Sequence, residues 1–231
     1  MNQVNAKTIA QFKSLSSFSV PQLEKLARSL SIRSYKRAEN IFGQDEEARL
    51  VYLLLSGVTR FIYMNSNENQ TIVSMLPSGE FFGLDSLMAK ARHPFTCEAF
   101  EASTVGSIKP QDFIQILLGT SYESFLRWYA VTLYPGRKSY IHCIRGIGLD
   151  LRRRLALELL NLADSFGTNV ARGVEIDLRV SHEVLASIVG ASRQQVTQHL
   201  NEFDREKIIS RDRRRIIIHP ERLRRIAGSL S

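Results

Sequence analysis

The stretch that most constrains this chain runs from Val180 to Ile209, VSHEVLASIVGASRQQVTQHLNEFDREKII. It predicts two short helices joined by a tight turn. Ser181 is placed to N-cap the first, its hydroxyl accepting a free N–H of the opening turn. Leu185, Ile188 and Val189 form an apolar face at helical spacing. Gly190 ends that helix where the chain needs positive φ, a conformation that costs glycine little. Ser192 caps the second helix, whose Val196, Leu200 and Phe203 point inward at offsets of four and three. Ala186, four residues before the glycine, lets the helices approach, and Val196, six after it, fills the space between them. Small, glycine and β-branched residues at this relative spacing are what a helix-turn-helix requires.

The outward face of the second helix points to function. Arg193, Gln194, Gln195, Thr197, Gln198 and Asn201 crowd onto its N-terminal half. That half of a recognition helix enters the major groove, where Arg and Gln can pair two-pronged with guanine and adenine edges. A merely solvated helix usually carries Lys and Glu there, rather than three glutamines and an arginine.

Charge distribution agrees. The formal net charge is +8 over 231 residues, and from Leu178 to Ser231 there are 11 Lys and Arg against 6 Asp and Glu. A basic C-terminal module suits a polyanion such as double-stranded DNA. With 44% hydrophobic residues the chain is long enough for two modest domains with real cores. No window approaches the roughly 18 apolar residues of a membrane span, and the first residues lack a signal-peptide core. The expectation is a cytoplasmic protein without a membrane partner. Cys97 and Cys143 give no CxxC spacing and no disulfide framework. An iron–sulfur cluster held by four cysteines of one chain is excluded on count.

Taken in order, residues 1–30 read as helical, with Pro21 at a helix start and Leu23, Leu26 and Leu30 on one face. From Ser34 to about Ile108, β-rich runs (VYLLL, VTRFIYM, QTIVSML) alternate with turn signals at Gly43–Asp45, Ser56–Gly57, Asn65–Asn69 and Pro77–Gly79. Such a succession predicts a small antiparallel barrel or roll. A helical region should follow from Pro110 to about Gly167. Within it Leu126, Tyr129, Leu133, Gly136, Tyr140, Cys143 and Ile147 keep the heptad spacing of a helix zipping against a partner. Pro135-Gly136 should kink or break that helix. Gly146, Gly148 and Asp150 look like a hinge, with Asp150 capping LRRRLALELLNLADSF. Beyond the helix-turn-helix, ISRDRRRIIIHP reads as a hairpin with a charged turn at Arg211–Arg215. Its arginines, Arg213 among them, are placed to meet phosphates.

With these elements in this order, the chain resembles the cyclic-AMP receptor and fumarate–nitrate regulator (Crp/Fnr) family of bacterial transcription factors. The resemblance covers essentially the whole sequence. It is carried by YLLLSGVTRF, LPSGEFFGLDSLM, LDLRRRLALELLNLA and VLASIVGASRQQVTQHLNEFDREKIIS. It implies an α+β chain with a cyclic-nucleotide-binding-like antiparallel β-roll sensor domain at 1–119. A dimerisation helix and hinge would follow at 120–148, and a winged helix-turn-helix at 149–231. It implies a homodimer, with Leu126, Tyr129, Leu133, Tyr140, Cys143 and Ile147 on its seam. The dimer would bind a roughly palindromic promoter site and recruit or block RNA polymerase. By position, Arg193 is the expected guanine contact and Ser192 a phosphate contact, with Ser181 and Arg213 beside them. Gln194 stands where the cyclic-AMP receptor has glutamate and Gln198 where it has arginine, so the preferred half-site should differ.

The resemblance also defines what the roll lacks. In cyclic-nucleotide binders a glutamate for the ribose follows Gly-Glu-Phe-Phe-Gly, and an Arg-Ser pair about ten residues on holds the phosphate. Here Leu84 follows Gly83, His93-Pro94 occupy the Arg-Ser place, and Asp85 would repel an anion. Without the arginine a buried phosphate loses its main charge partner. The expected signal is therefore not cyclic AMP. Gly83, Leu84, Asp85, Phe95, Ser139 and Tyr140 outline a pocket suited to a small apolar or aromatic effector. His93 and His142 would be the axial candidates for haem, which isolated histidines do not favour. A cyclic-nucleotide-responsive regulator is the alternative. A cupin-type metal enzyme is remote, because only His93 lies between residues 31 and 108 and such sites need two or three histidines. No phosphate loop or nucleophile elbow appears, so the chain is not expected to be an enzyme. A kinase-type regulatory subunit would share the roll but have no helix-turn-helix.

Overall fold

A computed structural model of the chain describes residues 4–119, 121–132, 148–212 and 215–228. They fall into two units, Met1–Ser139 and Tyr140–Ser231, so the division lies inside the segment read from sequence as dimerisation helix and hinge.

The first unit opens with α1 (Ala6–Ala10), a 3-10 turn at Lys13–Leu15 and α2 (Val20–Ser29). Pro21 sits in the first turn of α2, and the Gln22 amide oxygen accepts from the Ser19 N–H at 2.8 Å, satisfying a donor the helix leaves free. Eight strands follow: β1 (Ser31–Tyr35), β2 (Asn40–Phe42), β3 (Val51–Ser56), β4 (Val58–Met64), β5 (Gln70–Pro77), β6 (Phe81–Phe82), β7 (Thr96–Ala99) and β8 (Ser103–Ile108). They form two antiparallel four-stranded sheets, ordered β1-β8-β3-β6 and β2-β7-β4-β5. The interior of this roll is aromatic and aliphatic, with Phe42, Tyr52, Leu54, Phe82, Cys97 and Val105 buried together. A second core lies where α1, α2 and α3 (Pro110–Leu118) cover the roll, built on Leu15, Leu26, Leu53, Phe81, Ile108 and Phe113.

The helical region after the roll is not continuous. Helix α3 stops at Gly119, and α4 occupies residues 122–132. Helix α4 has two unlike faces. Trp128 is buried against Phe113 and Phe81, ring centroids 5.6 and 6.4 Å away. Leu126 and Tyr129, the first two seam positions, are 43% and 49% exposed, with Tyr122 at 78% beside them. The other seam positions, Leu133, Tyr140, Cys143 and Ile147, lie outside the described residues, as does the Pro135-Gly136 break.

In the second unit α5 (Leu151–Phe166) starts at Asp150, whose carboxylate accepts from the Arg153 N–H at 2.9 Å. It is followed by β9 (Gly167–Val170), β10 (Gly173–Ile176), α6 (His182–Val189), α7 (Arg193–Arg205), β11 (Ile209–Asp212), β12 (Arg215–Ile218) and α8 (Pro220–Ala227). Leu155, Leu159, Ile176, Leu185, Val196, Leu200, Phe203, Ile218 and Leu223 form its core. The wing read from sequence as a two-stranded hairpin is part of a four-stranded antiparallel sheet, β11-β12-β10-β9. The strands β9 and β10 were not anticipated. Gly173 lets β12 come close to β10: its φ is +138°, and a Cβ there would lie 2.2 Å from the carbonyl oxygen of Ile218 in β12. The α+β class, the antiparallel roll and the winged helix-turn-helix are as expected. Among the described residues no helix is long and apolar enough to cross a membrane.

Candidate nucleic-acid interface

Local chemistry sets the angle of the two helices. The Ser181 hydroxyl accepts from the Val184 N–H at 3.2 Å and starts α6. Gly190 ends it in the left-handed region, φ +63° and ψ +52°, its N–H donating to the Ala186 carbonyl. Nothing lies within 4 Å of where a Cβ would stand, so the dihedral, not crowding, calls for glycine. Ser192 starts α7 with a reciprocal cap: its hydroxyl accepts from the Gln195 N–H at 3.2 Å, and the Gln195 amide oxygen accepts from the Ser192 N–H at 3.0 Å. Three residues expected to touch DNA (Ser181, Ser192 and Gln195) therefore have oxygens engaged in capping.

The exposed side of α7 forms a groove lined by Arg193, Gln194, Thr197, Gln198, Asn201 and Arg205. Its lining carries two guanidinium groups and no carboxylate. Gln195 is not part of it. Behind the lining, a hydrogen-bonded layer holds the helix. The Thr197 hydroxyl donates to the Arg193 carbonyl at 2.8 Å and meets His182 Nδ1 at 2.8 Å. A hydroxyl has one proton, so His182 must be the donor, with its proton on Nδ1. Burial, then the charges of Arg211 and Arg193, hold the His182 pKa below its ordinary value and keep the ring neutral.

Two ion-pair groups brace the distal part of α7. Arg152, from α5, reaches Glu202 at 3.3 Å and Glu206 at 2.6 Å. Glu202 also accepts from Gln198 at 3.1 Å and from His199 at 2.8 Å, and these bonds hold its carboxyl below the usual carboxylate range. On the wing side Arg211 bonds Asn201 and Asp204, each at 2.9 Å, and Arg215 pairs with Glu175. These two wing arginines are thus engaged within the protein. Arg213, the expected phosphate contact, lies outside the described residues.

In the other unit, the described positions outlined as an effector pocket lie on separate segments of the roll. Gly83 and Asp85 belong to the turn after β6, where Leu84 packs on the α1–α3 core with Leu87. Phe95 meets Tyr63 edge-on at 6.4 Å. Ser139 and Tyr140 lie outside the described residues. His93 is 2% exposed and stacked on Phe42, centroids 3.7 Å apart, with Asp85 3.7 Å from its Nδ1. Burial lowers its pKa against the opposing pull of Asp85. Phe42 in turn contacts Tyr52, Phe61 and Phe82, so aromatic rings occupy the inside of the roll at this end. Cys97 is buried in the same cluster, and burial pushes its thiol pKa up, making it inert.

Comparison with known proteins agrees with this arrangement. The family model of the Crp-like helix-turn-helix domain matches residues 153–226, and that of the cyclic nucleotide-binding domain matches residues 32–119. The global nitrogen regulator of Synechococcus elongatus is 28% identical over 196 residues, 82% of this chain and 86% of that protein. The transcriptional regulator LdrP of Thermus thermophilus is 28% identical over 201 residues, 86% of this chain and 97% of that protein. A crystal structure of a CRP-family transcriptional regulator from Thermus thermophilus superposes with a TM-score of 0.68 at 26% identity, covering 85% of this chain and 96% of that one.

The chain belongs to the Crp/Fnr family. It is a DNA-binding transcription regulator of that type. In this Crp/Fnr regulator, sequence reasoning missed Arg205 in the groove and the supporting His182, Arg152 and Glu202. Arg205 and Glu202 were recoverable, because they follow Asn201 and Gln198 by one helical turn on the same face. His182 and Arg152 were not, because they reach α7 from other helices.

Proposed function

We propose that this Crp/Fnr regulator works as a homodimer, reads a roughly palindromic promoter site through α7, and responds to a signal other than cyclic AMP. The observation that carries the reading is the groove of α7, two arginines and four polar side chains without a carboxylate. Such a lining matches base edges and phosphates together. Arg193 is the guanine reader, Gln194 and Gln198 select neighbouring pairs, and the helix caps at Ser181 and Ser192 lie closest to the phosphate backbone. The apolar, exposed Leu126 and Tyr129 support a dimer seam on α4, and two recognition helices then meet two half-sites. A promoter-bound dimer acts by recruiting or blocking RNA polymerase.

For the signal, Leu84 packed into the core and Asp85 beside the buried His93 support a roll that does not hold a cyclic phosphate. A small apolar or aromatic effector suits these surroundings better. The alternative, a cyclic-nucleotide-responsive regulator, rests on the family match over residues 32–119. Selection of random duplex DNA by the full chain tests the reading. A palindromic consensus, with affinity falling steeply as salt rises, is expected; binding without sequence preference would refute it. Calorimetric titration with cyclic AMP separates the two signal readings.

A further inference from the structure

The amide of Gln198 is held by a charged neighbour, and that charge sets which end of the amide faces outward. Gln198 Nε2 donates to Glu202 Oε1 at 3.1 Å. A carboxylate has only acceptors, and Glu202 is kept ionised by the bonds it receives from Gln198 and His199. Its second oxygen is engaged by His199 Nδ1 at 2.8 Å and Arg152 Nη1 at 3.3 Å, so the carboxylate cannot swing away without losing both. Reversing the Gln198 amide would set its oxygen against this anion. Asn201 shows the same device with the opposite sign: Arg211 donates to its oxygen at 2.9 Å, leaving its N–H₂ outward.

We propose that Glu202, which does not line the groove, is a positioning residue that fixes the Gln198 amide with its oxygen toward DNA, so that Gln198 selects a base pair through an exocyclic amino group. This rests on the DNA-reading assignment of α7. An unrestrained glutamine can turn either end toward a base and accept from an amine or donate to N7, O6 or O4. Anchored by Glu202, it meets the base oxygen first and needs the amine of adenine or cytosine.

The test begins with duplexes selected by the wild-type chain and by Gln198→Ala, which identifies the pair Gln198 reads. At that pair the amino group is then deleted, purine replacing adenine or pyrimidin-2-one replacing cytosine. Wild-type affinity is expected to drop roughly five- to tenfold. Glu202→Ala should lose selection at this pair while keeping it at the pair read by Arg193, a pattern that general destabilisation would not produce. Tolerance of the amino deletion, unchanged selection in Gln198→Ala, or retained selection in Glu202→Ala would each overturn the proposal. Absence of any sequence preference in the wild type would instead defeat the DNA-reading assignment itself. Should Glu202→Ala fail to fold, the modified duplexes with the wild-type chain decide alone.

Discussion

The guanidinium of Arg152 lies 5.0 Å from the ring centroid of Phe203, over its face, while its nitrogens reach Glu202 and Glu206. One side chain of α5 thus holds the recognition helix by its apolar and its acidic surface at once. Cation–π contacts contribute about 0.5–1 kcal/mol when partly exposed, and exposed ion pairs about 0.2–1 kcal/mol. Arg152→Ala should therefore destabilise the second unit by about 1 kcal/mol. A urea unfolding midpoint equal to that of the wild type would show that the contacts contribute nothing.

Arg193 is exposed at the N-terminal end of the groove. Arg193→Ala is expected to weaken operator binding by about 1–3 kcal/mol and to relax selection at one base pair. Fluorescence anisotropy with the selected duplex and its single-pair variants reads both effects. Unchanged base preference would place recognition elsewhere.

Gly190→Ala isolates backbone strain, because open space surrounds the position and only φ of +63° opposes a side chain. A cost of about 1–2 kcal/mol follows from the left-handed conformation. Thermal unfolding followed by circular dichroism should show it. A neutral result would mean that the turn relaxes at no cost.

Two histidines give stability a pH dependence. Burial is the leading cause that lowers the pKa of His93 and of His182 in the fold. In the unfolded chain each takes up a proton near pH 6.5, while the folded ring stays neutral to lower pH. The unfolded state then binds more protons, so stability should fall as pH drops below about 6.5 and be fully present above it. His93→Phe, which can keep the stack on Phe42, should reduce the slope. Denaturation at about pH 7.5 and about pH 5.5 checks both, and equal slopes in the variant and the wild type would exonerate His93.

The exposed side of α4 predicts the consequence of charge there. Leu126→Glu with Tyr129→Glu should shift the protein from dimer to monomer, because both side chains are close to half exposed in the single chain and a charge is costly to bury in an apolar seam. Sedimentation velocity measures the shift. A dimer of undiminished affinity would move the seam off this face.

Much of the DNA-binding unit was legible because its signals are local. Ser181, Gly190, Ser192 and Asp150 each act on residues within one turn, and Val196, Leu200 and Phe203 declare their common face by spacing alone. The hairpin of β9 and β10 was not legible, because its strands are only four residues long and β10 is held on its other side by β12, about forty residues further on. Within the helical region expected after the roll, the stop at Gly119 was not legible, since apolar spacing does not mark it.

Sequence by itself determined the helix-turn-helix, the alternation of strands in the roll and the polar, basic character of the reading face, since these follow from side-chain period and capping chemistry. Only the tertiary structure decided which of those polar groups remain free. Thr197 is tied to His182 from α6, whereas the oxygen that Gln195 spends on the cap of α7 is engaged locally, within one turn. Gln198 is turned by a glutamate that Arg152 holds from α5. The reason is physical: an amide or hydroxyl has few donors and acceptors, and those satisfied across the packed helices are no longer available to a base.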